Sequence, residues 1–227
     1  MDSIVRSTSV LIPAYNAGTS LEELVNRLHR SIGDIHVIVV DDGSRDNTAE
    51  IAHSVGATVL RHDKNCGKGA ALQTGFDYFK KQPNVEFILT LDADLQHQPE
   101  DIQKFFSTQQ QTSADIIIGW RKRAGTKMPV HRILSNTLTS AFVSLKTGMK
   151  IKDSQCGFRL IRKRVLENIQ LESHGYEAET EFLIKAARLK FKIEFVPVYT
   201  VYGNEKSYMT HWATTINFIK VLLRKYS

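Results

Sequence analysis

Cysteine, proline and tryptophan are scarce in this chain, and long apolar runs are absent. Its 227 residues hold two cysteines, Cys66 and Cys156, too few for a disulfide framework and without paired zinc-finger spacing. Both read as reduced thiols of a cytosolic protein. Five prolines and 13 glycines show no periodic or low-complexity pattern, which excludes fibrous and linker-like classes. No apolar stretch approaches the roughly 20 residues needed to span a bilayer. Met1 to Ser9 lacks the apolar segment of a secretory signal. The expectation is a cytoplasmic protein that, if it works at a membrane, lies peripherally on the cytoplasmic face.

What is present is an ordinary globular composition with a basic balance: net charge +6 and pI near 9.3. That charge suits an anionic partner such as a nucleotide, a nucleic acid or an acidic membrane surface. A module for single-stranded nucleic acid would interleave aromatic and basic residues. The basic stretch from Arg121 to Arg132 has only Trp120 beside it, so no nucleic-acid partner is expected.

Short apolar runs alternate with amphipathic segments. Val10-Leu11-Ile12, His36 to Val40, Thr58 to Leu60, Phe87 to Leu91 and Asp115 to Ile118 read as strands, the first stopped by Pro13. Between them lie helical patterns, one with Ser20 and Glu23 at capping-box spacing. Others cover Thr48 to Val55, the stretch up to Lys81 after the Gly67-Lys68-Gly69 turn, and the residues following Pro99. The alternation predicts an α/β fold, a mostly parallel sheet covered by helices on both faces. After Gly119 the texture changes. Amphipathic segments at Ile133 to Leu145, Tyr176 to Leu189 and His211 to Tyr226, and a strand at Lys192 to Val196 closed by Pro197, read as an elaboration of the core. The whole chain, 1–227, reads as a single domain, with 1–119 a nucleotide-type core and 120–227 an acceptor- and membrane-facing part.

In open parallel sheets ligands bind beyond the carboxyl ends of the strands. Those ends carry Pro13-Ala14-Tyr15-Asn16, Asp41-Asp42, Asn65 to Gly69, and Asp92-Ala93-Asp94. Asp92 and Asp94, if extended, point to one side about 6–7 Å apart. Two crowded carboxylates repel, and a divalent cation relieves the repulsion. With Gln96 as a third oxygen donor, the set suits Mg²⁺ or Mn²⁺ on a nucleotide diphosphate. Asp94 and Gln96 also suit a helix cap before Pro99. A carboxylate at Asp41 can accept from a base N–H or a ribose hydroxyl, whereas Asp46 or Asn47 suits an N-cap. The Gly67-Lys68-Gly69 turn would bring backbone N–H groups and an ammonium toward phosphate. It matches neither a Walker A nor a dinucleotide fingerprint.

Taken in order, PAYN, DDGSRDNT, NCGKGAAL and LDADLQHQPED strongly resemble family 2 glycosyltransferases of the GT-A fold. Gly119-Trp120-Arg121, Arg132 to Ser135 and DSQCGFR at 153–159 look like the dolichyl- or polyprenyl-phosphate mannose and glucose synthase branch, and the resemblance covers nearly the whole chain. It implies transfer of a hexose from a GDP- or UDP-sugar to a polyprenyl or dolichyl phosphate. Pro13, Tyr15, Asn16 and Asp41, with Asp42 and Lys68, would then hold the nucleotide-sugar, and Asp92, Asp94 and Gln96 the metal and diphosphate. Arg121, Arg123, Arg132, Ser135, Arg159 and Lys206 would hold phosphate, including that of the acceptor. The catalytic candidates are Asp94, Arg132 and Asp153, the last either orienting or accepting a proton or serving as a structural loop carboxylate. The chain departs from the branch at Ala17, where an acidic residue is common, at Trp120, where serine is common, and in lacking an arginine near Thr200 to Lys206. The alternative within the enzymes is a related transferase acting on a glycan or other hydroxyl. A sugar-1-phosphate nucleotidyltransferase is disfavoured because Val10 to Ser20 has no Lys or Arg. The Ile133 to Leu145 segment and the helix at His211 to Tyr226 are the candidates for lipid contact, the latter through Trp212, Phe218, Ile219, Leu222 and Leu223, with Lys220, Arg224 and Lys225 near headgroups; packing of both on the sheet is the alternative. A membrane-anchoring partner is the other solution.

Overall fold

A computed structural model of the chain describes residues 2–121, 130–201, 211–224 and 226; the side chains of 2, 130–132, 134 and 211–215 lie outside that description. Seven strands form one sheet: β1 Thr8–Ala14, β2 His36–Asp41, β3 Thr58–Arg61, β4 Phe87–Thr90, β5 Ile116–Arg121, β6 Arg159–Arg162 and β7 Ile193–Val198. Their spatial order is β3-β2-β1-β4-β6-β5-β7. All pairs are parallel except the two made by β6, which runs antiparallel to both β4 and β5.

The helices are α1 Asp2–Arg6, α2 Gly18–Ile32, α3 Thr48–Ser54, α4 Lys68–Lys80, α5 Ile102–Thr112, α6 Val130–Thr147, α7 Lys163–Asn168, α8 Ala178–Arg188 and α9 His211–Leu223, with a 3₁₀ turn Pro99–Asp101 leading into α5. Leu21, Leu24, Val25 and Leu28 of α2 and Phe76 and Phe79 of α4 are buried, as helical spacing requires. The central strands β1 and β4 are buried at every position, so they read as continuous apolar runs.

Two prolines expected to end strands lie inside them. Pro13 pairs with Val40 within β1. The Ala14 carbonyl accepts from Asp42 N on the β2 side, so Pro13 faces β4. The β4 ladder has already ended there at Leu11↔Thr90, and no hydrogen bond is lost. Pro197 sits within β7, an edge strand, where a missing N–H is tolerated.

The expected capping box at Ser20 is also corrected. Ser20 lies inside α2, and its Oγ donates to Ala93 O (2.6 Å) and Ala17 O. The loop after β2 satisfies the start of α2 instead. Asn16 N donates to Ser44 Oγ (2.9 Å), Ala17 N to Thr48 Oγ1 (2.8 Å) and Gly18 N to Asp46 Oδ2 (3.1 Å). Asp46 Oδ1 meanwhile accepts from Thr48 N (3.1 Å) and Thr48 Oγ1. One aspartate therefore secures the starts of two helices and brings the β1 and β2 ends together.

Candidate active site

The chain leaves β1 toward β2 and β3 on one side and later returns to place β4 on the other. This switch point opens a crevice beyond the carboxyl ends of β1, β2 and β4. PAYN, DDGS and DAD all end there, and the segment from Cys66 to Lys68 joins them through Asp42 and Asp92.

Asp41 and Asp42 are both buried. Asp42 braces the neighbouring loop: its Oδ1 accepts from Cys66 N (2.9 Å) and contacts His62 Nδ1 (2.7 Å), and its Oδ2 accepts from Gly67 N (2.8 Å). This commitment makes Asp42 a loop-positioning residue in the structure. Asp41 Oδ1 accepts from Ser44 N (2.9 Å). Its Oδ2 lies 3.2 Å from Arg61 Nε but has no well-formed hydrogen bond among the described residues. Asn16, in the left-handed region at φ 50°, accepts from Arg45 N through Oδ1 (2.9 Å).

The Gly67-Lys68-Gly69 turn does not offer the backbone phosphate cradle expected of it. Gly67 N is held by Asp42, while Gly69 N (2.7 Å) and Ala70 N (3.3 Å) donate to the His174 carbonyl. The approach of this segment also explains the glycines: a Cβ at position 67 would come within 2.3 Å of His174 O and one at position 69 within 2.3 Å of Ser173 O. The ammonium of Lys68 is what reaches the crevice. Its Nζ contacts Asp92 Oδ1 at 2.6 Å and Glu179 Oε1 at 2.8 Å, beneath the Tyr176 ring. Burial alone would raise the Asp92 pKa, but the adjacent Lys68 ammonium together with further positive charge, including Arg121, holds the carboxyl below its ordinary value. For Lys68 burial works downward and the two carboxylates overcome it, so its pKa is raised.

Glu179 and Tyr176 escaped the reading of the sequence because they stand more than a hundred residues from Lys68. A signal was present: Glu179 and Glu181 interrupt the otherwise apolar buried face of α8 made by Ala178, Phe182 and Leu183. Both glutamates are buried, and Glu181 accepts from Glu172 N and Ser173 N.

Asp92 packs flat on Gly157. A Cβ there would lie 2.6 and 2.8 Å from its two carboxylate oxygens. Thr90 Oγ1 donates to Gly157 O (2.6 Å), tying the DSQCG segment to the end of β4. Asp94 Oδ1 accepts from Gln96 N (3.0 Å) across Leu95, which adopts φ 57°. Asp92, Asp94 and Gln96 are all partly exposed. They offer hard oxygen donors of the kind Mg²⁺ and Mn²⁺ take, and the Gly157 cradle leaves the Asp92 carboxylate no room for a side chain behind it.

Asp153 is buried and grips Arg121 through two side-chain bonds, Nε–Oδ2 2.7 Å and Nη2–Oδ1 2.9 Å, and through Arg121 N (3.3 Å). Burial pushes its pKa up, yet Arg121 brings it below the ordinary value. Asp153 is thus an ionised clamp on Arg121 and a weak base.

Arg159 differs from the expectation. It is 3% exposed, and its guanidinium donates to the carbonyls of Cys156 (2.8 Å), Glu179 (3.1 Å) and Ser154 (3.2 Å). The structure uses it to fasten the DSQCG loop to α8 through backbone carbonyls, not to present a cation to phosphate. His97 is buried against Phe158, with Nε2 3.8 Å from Cys156 Sγ. Burial drives its pKa down to about 4, so the ring is neutral at pH 7.

Pro13, Tyr15, Asn16, Asp41, Asp42, Lys68, Asp92, Asp94 and Gln96 thus cluster at the strand ends, with Arg121 and Asp153 at the end of β5. Ser135 is exposed in the first turns of α6. The Arg132 side chain, Arg123 and Lys206 lie outside the described residues.

The family model for Glycosyl transferase family 2 matches residues 9–170. A polyprenol monophosphomannose synthase of Mycolicibacterium smegmatis is 30% identical over 203 residues, covering 84% of this chain and 76% of its own. A UDP-N-acetylglucosamine–dolichyl-phosphate N-acetylglucosaminyltransferase of Methanococcus voltae is 31% identical over 217 residues, covering 85% of each. Among solved structures, glucosyl-3-phosphoglycerate synthase from Mycobacterium tuberculosis, in complex with Mn²⁺, UDP and glucosyl-3-phosphoglycerate, superposes with TM-score 0.75 at 20% identity. That superposition covers 96% of this chain and 79% of the other, and it supports the GT-A fold. The chain is a glycosyltransferase and belongs to glycosyl transferase family 2.

Proposed function

We propose that this enzyme transfers a hexose from a nucleoside diphosphate sugar to a polyprenyl phosphate at a membrane surface, inverting the anomeric configuration. The observation that carries the acceptor assignment is the orientation of α6. Its buried face is largely polar, with Asn136, Thr139 and Ser140 alongside Val143, while Leu138, Phe142 and Leu145 stand exposed. The neighbouring α9 adds exposed Ile216, Ile219 and Leu223. A helix normally turns its apolar stripe to the core; here the stripe of α6 faces outward, and α9, which packs beside it, also exposes apolar side chains. Exposed apolar faces of this kind suit an interaction site. Lys220 follows Ile219 on the exposed side of α9, as suits anionic headgroups, whereas Lys146 donates to the Leu222 and Arg224 carbonyls and Arg224 pairs with Glu172 (3.0 Å). Phe218 and Leu222, expected to meet lipid, pack on the core instead. Among the described residues no helix is long and apolar enough to cross a membrane.

The buried face of α6 is tied to the crevice. Ser154 N donates to Ser140 Oγ of α6 (3.2 Å), and the adjacent Asp153 holds Arg121. A lipid phosphate delivered by α6 would therefore arrive beside the Arg121 guanidinium. The polyprenol and dolichol names of the relatives agree with this acceptor class.

In this reading Asp92, Asp94 and Gln96 hold Mg²⁺ or Mn²⁺, which when bound neutralises charge building on the leaving diphosphate. Lys68 keeps Asp92 ionised and adds a positive charge at that wall. The buried Oδ2 of Asp41 accepts from the nucleoside, with Tyr15 and Asn16 flanking. Arg121, held in register by Asp153, stabilises phosphate charge electrostatically. Arg132, Ser135, Arg123 and Lys206 complete the acceptor side. A phosphate oxygen is already anionic at pH 7 and needs no strong base, which agrees with the lowered pKa and bidentate commitment of Asp153. A hydroxyl acceptor would need the base that Asp153 is poorly suited to be. The test compares polyprenyl phosphate with the corresponding free polyprenol. Transfer only to the phosphate supports the proposal; equal transfer to the alcohol would replace it with the hydroxyl-acceptor reading.

A further inference from the structure

Beyond the crevice wall, where β2 and β3 end, three side chains of metal-binding type converge that the transfer reaction does not use together. Asp42, His62 and Cys66 each place one ligand atom so that all three lie within 4.8 Å of one another. We propose that they form a site for a thiophilic divalent cation such as Zn²⁺, separate from the Asp92–Asp94 site.

The donor set decides the class of ion. One thiolate, one imidazole and one carboxylate suit zinc and its neighbours and are poor for Mg²⁺. Bonds of about 2.0 Å to nitrogen and oxygen and about 2.3 Å to sulfur put tetrahedral ligand atoms roughly 3.3–3.5 Å apart. Asp42 Oδ1 and His62 Nδ1 already lie 2.7 Å apart, and small shifts would admit an ion between them. Cys66 Sγ donates to Lys64 O at 3.3 Å, and Cys66 is exposed.

The imidazole is oriented as a ligand would be. His62 Nε2 lies 2.9 Å from Thr74 Oγ1 on α4. With the ring proton on Nε2 donated to Thr74, Nδ1 presents its lone pair toward Asp42 and the ion, the outer-shell arrangement common to metal-bound histidine. Binding to neutral His62 moves its proton from Nδ1 to Nε2 and releases one proton to solvent from the Cys66 thiol. Affinity should therefore rise with pH. Cys66 is exposed and Asp42 buried, so the cluster opens to solvent on the Cys66 side. An ion here would brace the segment from His62 to Gly67, which carries Lys68 into the crevice.

Cobalt tests this directly, because a thiolate–Co²⁺ bond gives a near-ultraviolet charge-transfer band that carboxylate and amide ligands do not. The full chain is titrated with Co²⁺ alone, then with Zn²⁺ to displace it. The expected result is a saturable band at one equivalent, abolished in Cys66→Ser, weakened at least tenfold in apparent affinity in His62→Gln, and unchanged in Asp94→Asn. Zn²⁺ should also protect Cys66 from a thiol reagent, buried Cys156 being slow in either case. No charge-transfer band, or a band that survives Cys66→Ser, would overturn the proposal. So would reaction of Cys66 with the reagent at the same rate with and without Zn²⁺.

Discussion

Replacing Lys68 with methionine keeps the aliphatic stem and removes the charge that joins Asp92 to Glu179. Two carboxylates would then face each other in a poorly solvated wall, Glu179 being 6% and Asp92 25% exposed as side chains. Removing one partner of a buried pair costs about 3–5 kcal/mol. The partial exposure of Asp92 argues for the lower end, about 3 kcal/mol, or a Tm lower by about 6–12 °C for a chain of this size. The pH dependence follows from the direction of the Asp92 shift. A carboxyl whose folded pKa is depressed contributes stability above its unfolded value, near 3.8, and loses it as pH falls through the folded value. The Tm gap between wild type and Lys68→Met should hold from neutral pH down to about 4 and close below it, as pH falls through the depressed folded value. Added Mn²⁺, restoring positive charge at Asp92, should raise the variant's Tm more than that of the wild type. Melts by circular dichroism from pH 7 to about pH 2, with and without Mn²⁺ at the neutral end, supply the numbers. A neutral-pH loss under 1 °C, or a gap that does not vary with pH, would refute the electrostatic account of this wall.

Gly157→Ala would push a methyl against an Asp92 carboxylate pinned by Lys68; the Mn²⁺ concentration for half-maximal activity should rise about tenfold, roughly 1.4 kcal/mol. Arg159→Met leaves three buried carbonyls without their donor; about 3 kcal/mol of stability should be lost, seen as a lower denaturation midpoint, and a raised KM for acceptor with unchanged stability would return Arg159 to a phosphate role. Asp153→Asn should impair transfer to a lipid phosphate about tenfold to a hundredfold by loosening Arg121, with the slope of activity against pH unchanged; complete loss of turnover would make Asp153 the base. Leu145→Glu with Leu223→Glu should reduce sedimentation with anionic liposomes while leaving Tm within about 1 °C, and a large Tm loss would mean the patch is covered by protein.

The strands were legible because a parallel sheet buried on both faces demands uninterrupted apolar runs, and β1, β2, β4 and β5 supply them. The strand-end motifs followed, since topology sends all parallel strand ends to one rim. Pro13 was read as a terminator because its effect depends on where the neighbouring β4 ladder stops, which local sequence does not state. The antiparallel β6 is equally hidden: Arg159 to Arg162 looks the same in either direction. Ser20 had capping-box spacing, but Asp46 and Thr48, from the following loop, outcompeted it for the orphan N–H groups of α2. Periodicity showed that α6 has two faces without showing which faces inward. Lys68 was visible as a cation near phosphate, yet its partner Glu179 belongs to a helix more than a hundred residues later. Arg159 shows the general difficulty: an arginine in a functional motif can serve phosphate or backbone, and only the positions of the carbonyls distinguish them.

The central claim is tested most directly by incubating the purified protein with Mn²⁺ or Mg²⁺, a polyprenyl phosphate in detergent and labelled GDP- and UDP-sugars in turn, with and without EDTA. Sugar label should enter the lipid phase from one donor, vanish with EDTA and vanish in Asp94→Asn. Label that persists in EDTA would contradict the role given to Asp92 and Asp94, and donor consumption that labels only a soluble glycan would contradict the lipid-phosphate acceptor.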